Sequence, residues 1–245
     1  MVIKNPKVFN IGALFAVTFL GVLFLIFSPV FKGKNGLEFA DSSFNKLAKG
    51  SSYFIPKVSL KNEAFKGKAF SVTIKTEKPE DKPGEAEKRA ENIAKVFGAA
   101  GAKTEINGVT VKIEGDLGQV LTAALQDSEA MFKNEGEKIR VRYSTDDEKK
   151  MFRQWHNGLT RINKEFDKEK KIAESKRVNE VVKKAVEPAY NFYQIDANKV
   201  SDHAGMMSGL LIFYVFYTMW WGYAIFYLFE GFGLTMKKAK VKKEA

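Results

Sequence analysis

Residues 204–236 read AGMMSGLLIFYVFYTMWWGYAIFYLFEGFGLTM. From Ala204 to Phe229 there is no charged residue, which exceeds the roughly 20 apolar residues that cross a bilayer as a helix. Five lysines follow, Lys237, Lys238, Lys240, Lys242 and Lys243. One helix over the whole stretch would be about 50 Å long, against a hydrocarbon core of about 30 Å. Either it tilts and projects, or the span ends near Trp220 and Trp221 as an interfacial aromatic belt. Glu230 is the one ionisable residue inside the stretch. An intramembrane charge defaults to a functional role, but here both registers set Glu230 near the headgroups, where its cost is small.

A second charge-free run, Val8 to Phe31 (VFNIGALFAVTFLGVLFLIFSPVF), is also long enough to span. Lys4 and Lys7 resemble the basic start of a signal peptide, yet the apolar run is longer than a usual signal core. IFSPVFKGKNG offers no small-x-small cleavage site. The reading is an uncleaved anchor. Basic residues favour the cytoplasmic side of a membrane, so both termini are expected there, with residues 32–203 outside. In a bacterium this would be an inner-membrane protein with a periplasmic domain. The order is then a cytoplasmic N-terminus (1–7), a first span (8–31), an extracytoplasmic connector (32–68), a folded domain (69–144), a long charged helix or stalk (145–203), an aromatic second span (204–236) and a basic cytoplasmic tail (237–245).

Within the connector, Asp41 is expected to cap a short helix through Leu47 that ends at Gly50-Ser51-Ser52. Phe70, Val72 and Ile74 then alternate with polar residues as a half-buried strand. After the break EKPEDKPG, Ala86, Ala90, Ile93, Ala94 and Phe97 share one helix face. Asn107-Gly108 between two alternating runs is a hairpin signal of type I′. Asp116 can cap a helix from Leu117 to Phe132. Ile139, Val141 and Tyr143 alternate with Lys138, Arg140 and Arg142, which reads as a closing strand. The order β-α-β-β-α-β resembles the ferredoxin-like topology, so the fold class is a two-span membrane protein carrying an α+β, ferredoxin-like extracytoplasmic domain. That topology hosts many functions and implies none by itself. In its usual strand order Thr73, Lys75, Thr110, Lys112, Lys138, Arg140 and Arg142 would share one open face. Such a face is either ordinary solvated surface or a basic docking face for an acidic extracytoplasmic protein or an anionic polymer.

Asp146 to about Val186 lacks proline and is rich in Lys, Glu, Arg and Ala, so it should be largely helical and could reach about 60 Å. Phe152, Trp155, Leu159, Ile162 and Phe166 form a stripe that pauses over the charged run 167–177 and resumes at Val178, Val181, Val182, Ala185 and Ala189. Gly158 weakens the helix locally and Pro188 kinks or ends it.

There are no cysteines, which excludes disulfides, thiolate metal sites, cysteine nucleophiles and covalently attached haem. The formal charge is +11; the ends contribute Lys4, Lys7 and the five tail lysines against Glu230 and Glu244, leaving about +6 between. Such a balance points to a membrane surface or an acidic partner rather than to nucleic acid. His203, beside Asp202 at the mouth of the second span, is a candidate haem or quinone contact, against the plainer reading of an interfacial polar residue. His156 is weaker. Gly12-x-x-x-Ala16 and Gly205-x-x-x-Gly209 are small-residue faces for helix contact; with the aromatic density around Trp220 and Trp221 they point to other integral membrane subunits, or to packing of the two spans on each other. No nucleotide loop, catalytic triad, metalloprotease motif or paired carboxylates stand out.

The expectation is therefore a non-catalytic accessory or scaffold subunit of a larger membrane complex, without cofactor or metal. A second reading comes from layout. Two flanking spans, an α/β base and a long extracytoplasmic helix resemble the polysaccharide co-polymerases, which implies a homo-oligomeric regulator of polymer export. A third is a haem- or quinone-associated subunit using His203.

Overall fold

A computed structural model describes residues 3–234; Thr235, Met236 and the lysine tail expected on the cytoplasmic side lie outside the described residues. In chain order the elements are α1 (Pro6–Phe27), α2 (Gly36–Ser51), α3 (Ile55–Asn62), β1 (Ala69–Lys75), α4 (Glu85–Ala99), β2 (Lys103–Asn107), β3 (Thr110–Asp116), α5 (Leu117–Phe132), α6 (Glu137–Tyr143), α7 (Glu148–Lys168), α8 (Ile172–Val181), α9 (Glu187–Asn191) and α10 (Ala204–Gly231). They fall into two compact units, one from Ala48 to Ala197, the other built from the chain up to Leu47 and from Asn198 onward.

The second of these units contains two helices, α1 and α10, long and apolar enough to cross a membrane. Almost none of either apolar window is buried in protein, so neither is the core helix of a globular fold. Phe9 meets Phe232, Phe15 meets Tyr227, and Phe19 lies against Trp221 and Tyr217; the helices run antiparallel. The N–H groups of Lys4 and Asn5 donate to the Gly231 carbonyl, both at 2.9 Å. The helix after the first span starts earlier than Asp41. Asn35 Oδ1 accepts from Glu38 N at 2.9 Å and Glu38 Oε2 from Asn35 N at 3.1 Å, a reciprocal capping box that sets the start of α2.

In the unit from Ala48 to Ala197 the sheet is three-stranded and antiparallel, ordered β1-β3-β2. Val72 pairs with Ile113 and Ile74 with Val111, so the alternating apolar residues of both strands line one buried face. Asp116 caps α5 through Gln119 N at 3.0 Å. The hairpin register pairs Asn107 with Thr110, which makes Gly108 and Val109 the turn. Only Gly108 has a positive φ, +57°. The expected type I′ turn on Asn107-Gly108 is thus shifted by one residue, to a loop with glycine at its first central position.

The expected closing strand is a helix. α6 covers Glu137–Tyr143, with Ile139 and Tyr143 buried and Val141 72% exposed. Alternation over so few residues fits a helix as well, because positions four apart share a face. A complete ferredoxin-like sheet is therefore not formed, and the unit is mostly helical. The expected stalk also differs. α7 ends at Lys168, Lys170 takes a left-handed φ of +58°, and Lys171 N returns to Phe166 O at 2.9 Å. α8 then packs back along α7. A five-residue π-helical segment, Val182–Val186, joins α8 to α9, whose first turn holds Pro188. Both halves of the apolar stripe, from Phe152 to Phe166 and from Val178 to Ala189, are fully or nearly fully buried in one core. The projecting helix on which the likeness to polysaccharide co-polymerases rested is instead a hairpin within the domain.

Asp81 pins the break between β1 and α4. It accepts from Arg89 at 2.6 and 2.8 Å and from Lys78 N at 2.7 Å. The Arg89 guanidinium holds its carboxyl down at about 2. A carboxylate with a folded pKa below its unfolded value stabilises above about pH 4, and the contribution disappears as pH falls through the folded value. Asp81→Asn should therefore lower the denaturation midpoint most above about pH 5, with the gap to wild type closing towards about pH 2. A gap of constant size from neutral to strongly acidic pH would contradict this.

Candidate functional site

The first candidate site is the α1–α10 pair. A Cβ on Gly12 would stand 2.6 Å from Leu228 N and 2.9 Å from Tyr227 C, and one on Gly231 would stand 2.6 Å from Phe9 Cβ. These two glycines let the helices touch; Ala16 is half-buried. Gly231 and the fully buried Ala224 were not singled out from sequence. Their signal is a seven-residue spacing of small residues, one helix face over two turns. Among the described residues, nothing lies within 4 Å of a Cβ added at Gly205 or Gly209.

α1 also serves as a ruler. Continuing the observed pairs, the end of α1 comes level with about Phe213, so Phe213–Gly231 rises about 27 Å beside it. Ala204–Ile212 runs on for about 13 Å. Glu230 is half-buried at the level of Lys4 and Asn5. Trp220 and Trp221 lie well inside the paired stretch. Trp221 is 40% exposed and packs on Phe19 with ring centres 4.7 Å apart, while Trp220 Nε1 and Tyr217 Oη are buried with no hydrogen-bond partner. Phe213, Tyr214, Phe216, Tyr223, Phe226 and Phe229 are exposed.

His203 sits just ahead of α10. Its Nδ1 is 3.3 Å from Lys199 O and its Nε2 is 3.3 Å from Asn198 Nδ2. Both ring nitrogens are thus engaged by residues just ahead of them in the chain. His156 Nε2 is 3.4 Å from Glu187. Among the described residues no group of three or more His, Asp or Glu side chains could hold a metal ion.

The seven polar and basic residues expected on one sheet face are divided between two elements. Thr73, Lys75, Thr110 and Lys112 lie on the open face of the sheet. Glu105 and Glu114 lie there too, cross-strand from Lys112 and Lys103. Lys112 meets Glu114 at 2.8 Å and Lys103 meets Glu105 at 3.0 Å, and the lysine holds the Glu114 carboxyl below its ordinary range. Lys138, Arg140 and Arg142 are on α6. Lys138 pairs with Glu135 at 2.6 Å, Arg140 with Glu148 at 3.0 Å, and Arg142 with Asp127. A single basic sheet face carrying all seven does not form, because the strand that would have brought three of them is a helix.

Asp127, on α5, is buried, and sequence reading passed over it. Its Oδ2 accepts from Tyr143 Oη at 2.5 Å and from Trp155 Nε1 at 2.8 Å; its Oδ1 accepts from Arg142. One carboxylate thus ties α5, α6 and α7 together. Burial pushes its pKa up against the opposing effect of these donors, and burial with the neighbouring carboxylate pushes Tyr143 up strongly. A groove of about 570 Å³ opens beside it between α3, α5 and α6. Oδ2 is committed to two buried donors and Oδ1 to the partly exposed Arg142, so the cluster joins three helices through one carboxylate.

Two further grooves flank α7. One, of about 300 Å³, lies between α4 and α7 and is lined by Lys88, Arg89, Lys150 and Arg153. The other, of about 670 Å³, lies between α7 and the free edge of β1. No family model, no curated protein and no solved structure matches this chain.

Proposed function

We propose that this chain is a membrane-anchored, non-catalytic accessory subunit of a larger membrane complex. The observation that carries the reading is the one-sided cover of α10. α1 buries Ala224 and Gly231 and packs on Tyr217, Trp221 and Tyr227, while Tyr214, Phe216, Tyr223, Phe226 and Phe229 on the rest of the helix are exposed. Lipid tails solvate aliphatic groups and offer no acceptor for a hydroxyl. Tyr223 is exposed at the level of the middle of α1, and neighbouring helices that supply hydrogen-bond partners and flat contact area satisfy such a residue. The spans anchor the chain in the inner, cytoplasmic membrane with both termini cytoplasmic. The unit from Ala48 to Ala197 then faces the periplasm. Glu230, level with Lys4, lies at the inner headgroups. Basic residues at both chain ends support that orientation.

A photo-reactive amino acid at Phe216 or Tyr223 tests this in native membranes. The expected result is cross-linking to one or a few foreign membrane polypeptides, with little at Val17 on the back of α1. Adducts with lipid alone, or only with further copies of this chain, would contradict it; the second outcome would favour a homo-oligomeric regulator of polymer export.

A further inference from the structure

β1 sits at one end of the strand order, and its outer edge is the place a fourth strand would take. Residue parity identifies what that edge offers. Leu117 N donates to Lys68 O at 2.8 Å and Thr76 N to Val109 O at 2.9 Å. With the observed register, even-numbered residues of β1 therefore exchange hydrogen bonds with β3. Ser71, Thr73 and Lys75 turn their backbone N–H and C=O groups outward. The Lys75 carbonyl is met by Arg161 Nε at 2.6 Å. Among the described residues, no hydrogen bond reaches the outward N–H and C=O of Ser71 and Thr73 or the N–H of Lys75. Proteins ordinarily block such edges. Here α7 packs against β1, and a groove of about 670 Å³ lined by Thr73 and Lys75 opens beside the two elements.

Charge decides what would fill it. The groove is lined by Lys75, Lys78, Arg161, Lys164 and Lys168 against Glu77 and Glu165, and Glu165 is already paired with Lys168 at 2.8 Å. Arg161 is held by carbonyls, those of Lys75, Asn157 and Thr76, rather than by a carboxylate. Thr160 Oγ1, in the same wall, is buried with no partner. β1 itself carries no acidic residue, so a second copy pairing edge to edge would bring lysine to this groove.

We propose that the free edge of β1 receives an extended acidic segment of a partner protein as a fourth strand, with alternate carboxylates facing Arg161, Lys164 and Lys168. Main-chain hydrogen bonds supply the attachment and the basic wall of α7 selects the side chains, the division of labour in strand addition. This rests on reading the chain as a docking subunit.

The test uses the full chain in detergent micelles and two labelled decapeptides of equal charge. One alternates threonine and glutamate; the other has proline at two neighbouring central positions, one threonine and one glutamate, with an end threonine changed to glutamate to keep the charge, so that a donor to the ladder is lost in either register. The first should bind, slow hydrogen exchange at the Thr73 and Lys75 amides, and lose at least about tenfold in affinity in the Lys164→Glu/Lys168→Glu variant. The proline peptide should bind at least about tenfold more weakly than the first. Equal binding of the two, displacement by polyphosphate without any protection of those amides, or no binding at millimolar peptide would overturn the proposal. The first two outcomes would mark a polyanion surface. Foreign subunits that still co-purify while the edge amides stay unprotected would sink the strand site and leave the accessory role standing.

Discussion

Asp127→Ala should lower the stability of the unit from Ala48 to Ala197 by about 3–5 kcal/mol. The substitution removes the acceptor shared by three donors and strands the two that are buried. Tyr143 Oη and Trp155 Nε1 are buried, and each unpaired buried donor costs about 1–3 kcal/mol; Arg142, 40% exposed, can turn to water. Relief of burying a charge works the other way, since burial already pushes the Asp127 pKa up. The stranded donors outweigh it because both stay fixed by packing. Asp127→Asn keeps an acceptor and should cost only about 1–2 kcal/mol. A carboxyl whose folded pKa is raised binds more protons in the folded state, so wild-type stability falls as pH rises through that interval. Both variants should lose this slope. Hydrogen exchange of α5 and α7 amides against denaturant measures all three; a cost below about 1 kcal/mol for alanine would show that the network does not tie the helices.

Gly158 gives the second large effect, and one in which propensity and packing predict opposite signs. Glycine in a helix interior is about 1 kcal/mol worse than alanine, so Gly158→Ala should stabilise if α7 were a free stalk. In the folded unit an added Cβ would stand 2.8 Å from Phe97 Cζ, closer still to Cε2, and 3.5 Å from Ile93. Phe97 is fully buried, its ring centre 5.0 Å from that of Trp155 with the planes inclined at 52°, so it is hemmed in by the core. Overpacking of this kind costs about 1–3 kcal/mol. Gly158→Ala should therefore destabilise by about 1–2 kcal/mol and Gly158→Leu by about 3 kcal/mol. An alanine variant more stable than wild type would mean that the α4–α7 contact is looser than the structure has it.

Much of this fold was legible because its signals are local. Alternation gave β1, the 3-4 spacing gave α4, and Asp116 marked the start of α5. The misreadings share a cause: the deciding fact lay elsewhere in the chain. Ile139, Val141 and Tyr143 fit a strand or a helix equally; Asp127, twelve residues upstream of Ile139, selects the helix by receiving Tyr143. The turn after α7 carries no glycine or proline, and Lys170 takes a left-handed conformation that the sequence would assign to glycine or asparagine. The broken stripe was visible, but not that its halves fold onto one core. In the spans, Gly12 was legible and its counterpart Gly231 was not, because the match depends on how two distant helices align. Asp127 and the edge of β1 carry no motif at all.

The most direct measurement of the accessory role is purification of tagged full-length protein from native membranes in mild detergent, with every polypeptide in the main size-exclusion peak identified. The account predicts stoichiometric foreign membrane subunits, lost when Phe216, Tyr223 and Phe226 are replaced together by leucine. A peak containing this chain alone, as a monomer or as a discrete homo-oligomer, would contradict it.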